Sequence, residues 1–153
     1  MILPRYRIAA STIPGAGKGL FLDEPLQRGR IAIAPDAIDR TWTFMEILSD
    51  PERMAQLHTS VRWFEDRYTL SPEWPDECYV NHSFEPTGLW LLGFIFAARD
   101  LGAGEELTVD YRHLLAPGQE EVFRDARTGG SIVGYAWNES LRIGVDTLRK
   151  LLD

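Results

Sequence analysis

Cysteine is almost missing from this 153-residue chain, with Cys78 the only one. A lone thiol forms no internal disulfide and excludes a cysteine-rich zinc site, which needs several thiolates. Nothing in the sequence pairs Cys78 with a base for nucleophilic catalysis. Long apolar runs are missing too: no stretch approaches the roughly 20 residues that cross a bilayer. The opening Met1-Ile2-Leu3-Pro4-Arg5 lacks the apolar core of a secretory signal. We therefore expect a cytoplasmic protein without a membrane partner. Positive charge is in deficit, with 16 Lys and Arg against 23 Asp and Glu and a net charge of −7. Nucleic-acid binders draw affinity from clustered Lys and Arg, so direct nucleic acid binding is not expected. The balance suits either plain solubility or a cationic ligand such as a basic peptide. Of the three histidines, His58 reads as an exposed helix-end residue and His113 as a loop residue. Neither has neighbours at metal-ligand spacing, so no metal is expected.

What the chain does have is ordinary for a globular domain: 44% hydrophobic and 25% charged residues. Its length fits one domain over residues 1–153, and no internal repeat, low-complexity tract or linker divides it. Residues 5–10 alternate and read as a strand, followed by a turn over 11–18 and a strand over 19–22. Residues 30–34 form a short apolar strand. Residues 43–57 carry the best helical spacing, with Thr43 and Glu46 as a capping box. Pro51 splits that stretch into two short helices. Residues 61–70 suggest strand and 71–75 loop. The fully apolar 88–98 is a buried strand pair or one long strand. Residues 106–111 alternate and read as a strand ending in Tyr111. Residues 115–119 hold a Pro-Gly turn, 129–137 suggest a β-hairpin, and 147–152 one terminal helical turn. Many short strands with frequent Gly and Pro point to a mostly β (α+β) domain with one or two short helices.

Three stretches carry candidate chemistry. In Gly15-Ala16-Gly17-Lys18-Gly19-Leu20-Phe21, Gly17 and Gly19 let a ligand approach the main chain closely and leave amide donors free; the other reading is a plain hairpin turn. The Gly-Lys-Ser/Thr end of a phosphate loop is missing. Tyr79-Val80-Asn81-His82-Ser83-Phe84-Glu85-Pro86 puts an amide, an imidazole and a hydroxyl in consecutive positions before a proline; alone, it is a polar turn after a strand. Gly104-Glu105-Glu106-Leu107-Thr108-Val109-Asp110-Tyr111 closes the set. Glu105 and Glu106 point to opposite faces and read as turn and edge residues rather than an acid/base pair.

In this order and at these spacings, the three motifs resemble the SET-domain lysine methyltransferases over Ser11 to Tyr111. The resemblance implies several small curved sheets, with a C-terminal segment threaded beside Asn81-His82. It places the motif-bearing part at about 5–113, with 114–153 closing the cofactor and substrate site. It implies S-adenosylmethionine as cofactor, held by Ala16, Gly17, Lys18 and Gly19 together with Asn81 and His82. A protein or peptide with a target lysine is the implied partner. Tyr111 matches the tyrosine at the reaction centre, orienting methyl or amine rather than acting as a base; the other reading is a strand-end tyrosine capping the core. Trp90 and Tyr79 are assigned to the lysine channel, although Trp90 also suits core packing. Thr87 and Gly88 depart from the family's Asn-Cys after the proline, and its cysteine-rich tail is absent. Tyr135 or Trp137 is the candidate to close the pocket, Trp137 on adenine and Tyr135 toward the channel, unless both are hairpin residues packed on the core. A SET-fold module that binds a basic peptide or cofactor without turnover is the alternative to an enzyme.

Overall fold

A computed structural model describes residues 1–35 and 38–153. In chain order, β1 (Tyr6–Ala10) and β2 (Lys18–Leu22) form an antiparallel hairpin in which Ala10 faces Lys18. β3 (Ile31–Ile33) leads to two short helices, α1 (Phe44–Leu48) and α2 (Pro51–Met54). The sequence expectation fits closely here. Thr43 Oγ1 accepts from the Glu46 N–H while Glu46 reaches back to the Thr43 N–H, and Asp50 caps a second helix that starts on Pro51.

Residues 61–70 are not one strand. β4 (Val61–Phe64) and β5 (Arg67–Thr69) form a hairpin that reverses at Glu65, where φ is +46°. β6 is the two-residue Asn81–His82. The apolar run is a strand pair, β7 (Gly88–Leu91) and β8 (Phe94–Ala97). Leu92 and Gly93 both take positive φ at its tip, as a two-residue hairpin turn requires. β9 is only Thr108–Val109, because Asp110 caps a 3-10 turn over Tyr111–His113. The expected strand therefore stops short of Tyr111. β10 (Glu120–Arg124), which the sequence did not suggest, pairs with β11 (Ser131–Val133).

The chain then enters α3 (Trp137–Leu152), a 16-residue helix where a single terminal turn was expected. Its partly buried stripe, Trp137, Leu141, Gly144, Leu148 and Leu151, follows helical spacing. Gly144 masks this signal, being a poor helix former. It is needed for packing, since a Cβ there would sit 2.8 Å from Leu91 Cδ1 on β7.

β3, β8 and β7 form a three-stranded sheet, and the other strands pair off in twos. The main core joins Leu20, Leu22, Ile33, Val80, Ile95, Leu107 and Val109, which brings all three sequence motifs onto one apolar base. A smaller cluster of Ile47, Tyr68 and Ala116 lies under the inserted helices. Arg62, 1% exposed, donates to the carbonyls of His113 (3.2 Å) and Tyr135 (3.0 Å), tying the β4–β5 hairpin to the C-terminal chain. No helix among the described residues is long and apolar enough to cross a membrane.

Candidate functional site

β6 and β9 pair in parallel, Asn81 with Thr108 and His82 with Val109, although the partners are 27 positions apart. The Ser83 N–H extends the pairing to the Val109 carbonyl at 3.0 Å. Two residues per strand are enough here because side chains finish the joint. The Tyr111 N–H donates to His82 Nδ1 at 3.1 Å, and the Tyr111 hydroxyl donates to the Val80 carbonyl at 2.8 Å. Accepting at Nδ1 leaves the imidazole proton on Nε2, which faces Asp125 Oδ2 at 3.6 Å. Burial lowers the His82 pKa, so the ring is neutral at pH 7 and the contact with Asp125 is not an ion pair there. Burial alone would raise the Asp125 pKa, but hydrogen bonds from Thr128 and the Phe84 N–H outweigh it and keep the carboxyl ionised. The chain thus passes the Asn81-His82 segment twice, first as β9 and again at Asp125.

The glycine loop joins through Glu106. Read from sequence as an edge residue, Glu106 is buried. It accepts from Ser11 Oγ (2.6 Å), the Thr12 N–H (2.8 Å), Thr12 Oγ1 (2.6 Å) and Asn81 Nδ2 (2.9 Å). Burial pulls its pKa up, but these donors prevail and hold it below the usual value. A Cβ on Gly19 would lie 2.2 Å from Glu106 Oε1, so this glycine makes room for the carboxylate. Sequence reasoning missed Glu106 because Ser11 and Thr12 lie about 95 residues away and Asn81 25.

Between these segments opens a cavity of about 1460 Å³. Its wall includes Gly15, Ala16, Cys78, Asn81, His82, Trp90, Tyr111 and residues of β10. Single-ligand pockets usually span about 300–1,000 Å³, so this one has room for two ligands side by side. Of the expected site residues, Ala16, Asn81, His82, Trp90 and Tyr111 share this wall. Gly17, Lys18, Gly19, Tyr79, Tyr135 and Trp137 do not. The Lys18 carbonyl accepts from Asn81 Nδ2 at 2.9 Å. The Ala16 N–H is spent on the Ile13 carbonyl at 3.1 Å, so that amide is not free for a ligand. Tyr79 meets Trp74 edge-on at 6.2 Å. Tyr135 packs against His113 at 5.1 Å and under Arg112 at 4.8 Å. Trp137 opens α3, with the Arg62 guanidinium 6.0 Å from its ring. The expected adenine platform therefore lies outside the cavity, because Trp137 is a helix residue and not a hairpin one.

His58 is exposed in the 3-10 turn that follows α2, as expected, whereas His113 differs from expectation. His58 stacks on Trp74 at 5.6 Å along the cavity rim. His113 is buried and bonds Ser140 at 2.8 Å, its pKa lowered by burial.

The Tyr111 ring sits 5.4 Å from His82 and 6.3 Å from Phe123 of β10. Burial, with Glu121 and Cys78 nearby, pushes the phenol pKa well above its ordinary value. Burial raises the Cys78 thiol to about 11, so it stays protonated. Asn81 spends its Nδ2 on Ser11, Lys18 and Glu106, which leaves Oδ1 without a partner among the described residues. A free amide oxygen in the wall is an acceptor for a cationic or N–H donor group.

A domain of small sheets, with a glycine loop, an Asn-His segment and a tyrosine converging on one cavity, defines a class of protein. The family model described as SET domain matches residues 17–112, more than half of the chain, and the chain belongs to that family. The family is of the lysine-methyltransferase type. Among solved structures, 149 chains match. One is in the crystal structure of the Chaetomium thermophilum polycomb repressive complex 2 (PRC2), with a TM-score of 0.56 and 18% identity. The match covers 71% of this chain and 15% of that one, and at this identity the likeness is one of fold. No curated protein matches this chain. Residues after 112, with β10, β11 and α3, lie beyond the family match.

Proposed function

We propose that the protein transfers a methyl group from S-adenosylmethionine to a lysine side chain of a protein or peptide substrate. The observation that carries this reading is the Tyr111 phenol in the same cavity wall as Ala16, Asn81 and His82, in a space large enough for cofactor and substrate together. The residues present fit the cofactor. Asn81 Oδ1 is free to accept from an amino group, and a Cβ at Gly15 would meet nothing within 4 Å, so the loop there is open. When bound, S-adenosylmethionine supplies a methyl carbon activated by a sulfonium.

The protein's own residues then have three tasks. Tyr111 gives its hydroxyl hydrogen to the Val80 carbonyl and keeps its oxygen lone pairs for an amine N–H or a polarised methyl C–H. With its pKa raised it stays protonated, so it orients rather than deprotonates. Much of the acceleration comes from this positioning. The aromatic faces of Trp90 and Phe123 tolerate positive charge. The largely apolar wall favours the neutral amine over the ammonium, because desolvation lowers an ammonium's pKa.

The test is calorimetric titration with S-adenosylmethionine, followed by labelled methyl transfer to a lysine peptide library. Binding and transfer are expected, with transfer lost in Tyr111→Phe. Cofactor uptake with no transfer to any peptide or lysate protein favours a binding module instead. Absence of cofactor uptake removes the proposal.

A further inference from the structure

Beyond the family's shared segments, the cavity wall holds a carboxylate that is not exposed and that the proposed chemistry has not used. Glu121 is half-buried on β10 and lines the cavity. Strand alternation puts Glu121 and Phe123 on one face, toward Tyr111, and leaves Val122 fully in solvent. The Phe123 ring lies 6.3 Å from the Tyr111 ring, and the Glu121 charge acts on the Tyr111 phenol.

Glu121 is also unbalanced. Among the described residues, no Lys or Arg lies within ion-pair distance of it. Arg124 on the same strand donates to the Gly129 carbonyl instead, at 3.2 Å. The other acids of the wall differ: Glu77 pairs with the N-terminal ammonium at 3.0 Å, and Asp39 and Glu120 are exposed. Burial raises the Glu121 pKa, and only the Val122 N–H works against it. A desolvated carboxylate without an internal cation is costly, and a cation from outside relieves that cost.

We propose that Glu121 is the cation site for the substrate: its carboxylate pairs with the primary ammonium of the target lysine beside Tyr111. This rests on the methyltransferase reading, and it names the group on β10 that selects an amine-bearing side chain. It also gives the ammonium's proton a destination. The N–H bond breaks, an O–H bond forms on Glu121, and the freed nitrogen lone pair is left to attack the methyl carbon. Net charge is conserved in that transfer, and no further reactant is needed.

The test uses the full chain and two small probes of equal length, n-butylammonium and 1-butanol, with binding followed by NMR. The wild type is expected to bind the ammonium at least tenfold more tightly than the alcohol. Glu121→Gln should bring that ratio close to one, while Glu121→Asp keeps most of it. Near-equal binding of the two probes by the wild type overturns the proposal. So does a tenfold preference that survives in a folded Glu121→Gln. S-adenosylmethionine binding measured on the same samples separates the two claims. If the wild type takes up the cofactor and methylates peptides but its ammonium preference ignores Glu121, the cation site alone falls. If it takes up no cofactor yet shows a Glu121-dependent preference, the cation site stands and the methyltransferase reading falls.

Discussion

Glu106 Oε1 accepts a hydrogen bond from Asn81 Nδ2 at 2.9 Å, and this contact ties the third sequence motif to the second. The same carboxylate holds Ser11 and Thr12 of the turn after β1, so one buried acid fixes the relative positions of all three segments.

Glu106→Ala leaves four donors without their acceptor. We expect a loss of about 2–3 kcal/mol of folding stability, typical for buried donors stranded by losing a charged partner. Chemical denaturation measures it. Stability within about 0.5 kcal/mol of wild type, the scale of an ordinary surface change, would show that Glu106 does not hold the segments together.

Gly19→Ala places a methyl where Glu106 Oε1 now lies. The carboxylate must move or the β1–β2 hairpin must shift, at a cost of about 1–3 kcal/mol. Cofactor affinity should weaken as well, since Asn81 is anchored to the same carboxylate. An unchanged melting temperature and unchanged calorimetric affinity would contradict this packing.

Tyr111→Phe removes one hydroxyl and its bond to Val80. The fold should lose only about 1 kcal/mol. Methyl transfer should fall about 100-fold or more, because an aimed polar group at a reaction centre is lost. S-adenosylmethionine binding, by contrast, should stay near wild type. Turnover at the wild-type rate in this variant would remove Tyr111 from the chemistry.

Acid sensitivity follows from two histidines. His82 and His113 both have folded-state pKa values lowered from 6.5 by burial. Below that pH the unfolded chain binds protons that the folded one refuses. Their contribution is therefore complete above pH 6.5 and declines as the pH falls toward the folded-state values, by up to about 1.4 kcal/mol per unit for each. Glu106 and Asp125, both shifted down, keep their contribution until the pH drops below the ordinary carboxylate range. Melting temperatures at pH 7.5 and 5.5 should differ, and His113→Gln should reduce the difference. Equal melting temperatures would mean that neither ring is held neutral.

Local features were legible in the sequence. The Thr43–Glu46 box and the helix start at Pro51 depend only on neighbours, whereas the apolar 88–98 run leaves a strand pair and one long strand both open and does not mark the reversal at Leu92-Gly93. The Asn81 and Tyr111 motifs could be recognised because their residue types are distinctive. Long-range features stayed hidden. Glu106 looks like a surface acid until Ser11 and Thr12 are brought over it, and Glu121 looks like one until β10 lies across the cavity. Trp137 sits next to Gly-Tyr-Ala and reads as hairpin. Only the stripe running on to Leu151, broken by Gly144, marks it as the first residue of a helix.

The parallel pairing of Asn81–His82 with Thr108–Val109 also bears on how the molecule forms. Such a pair gains nothing until the whole intervening loop has closed, and contacts of long sequence separation slow folding. Asp125 must then reach back to His82 across 43 positions, so a chain emerging from the ribosome has no half-built centre to protect or misuse. The assembled site should therefore appear late and abruptly during synthesis, after the hairpin beyond residue 112 has been released.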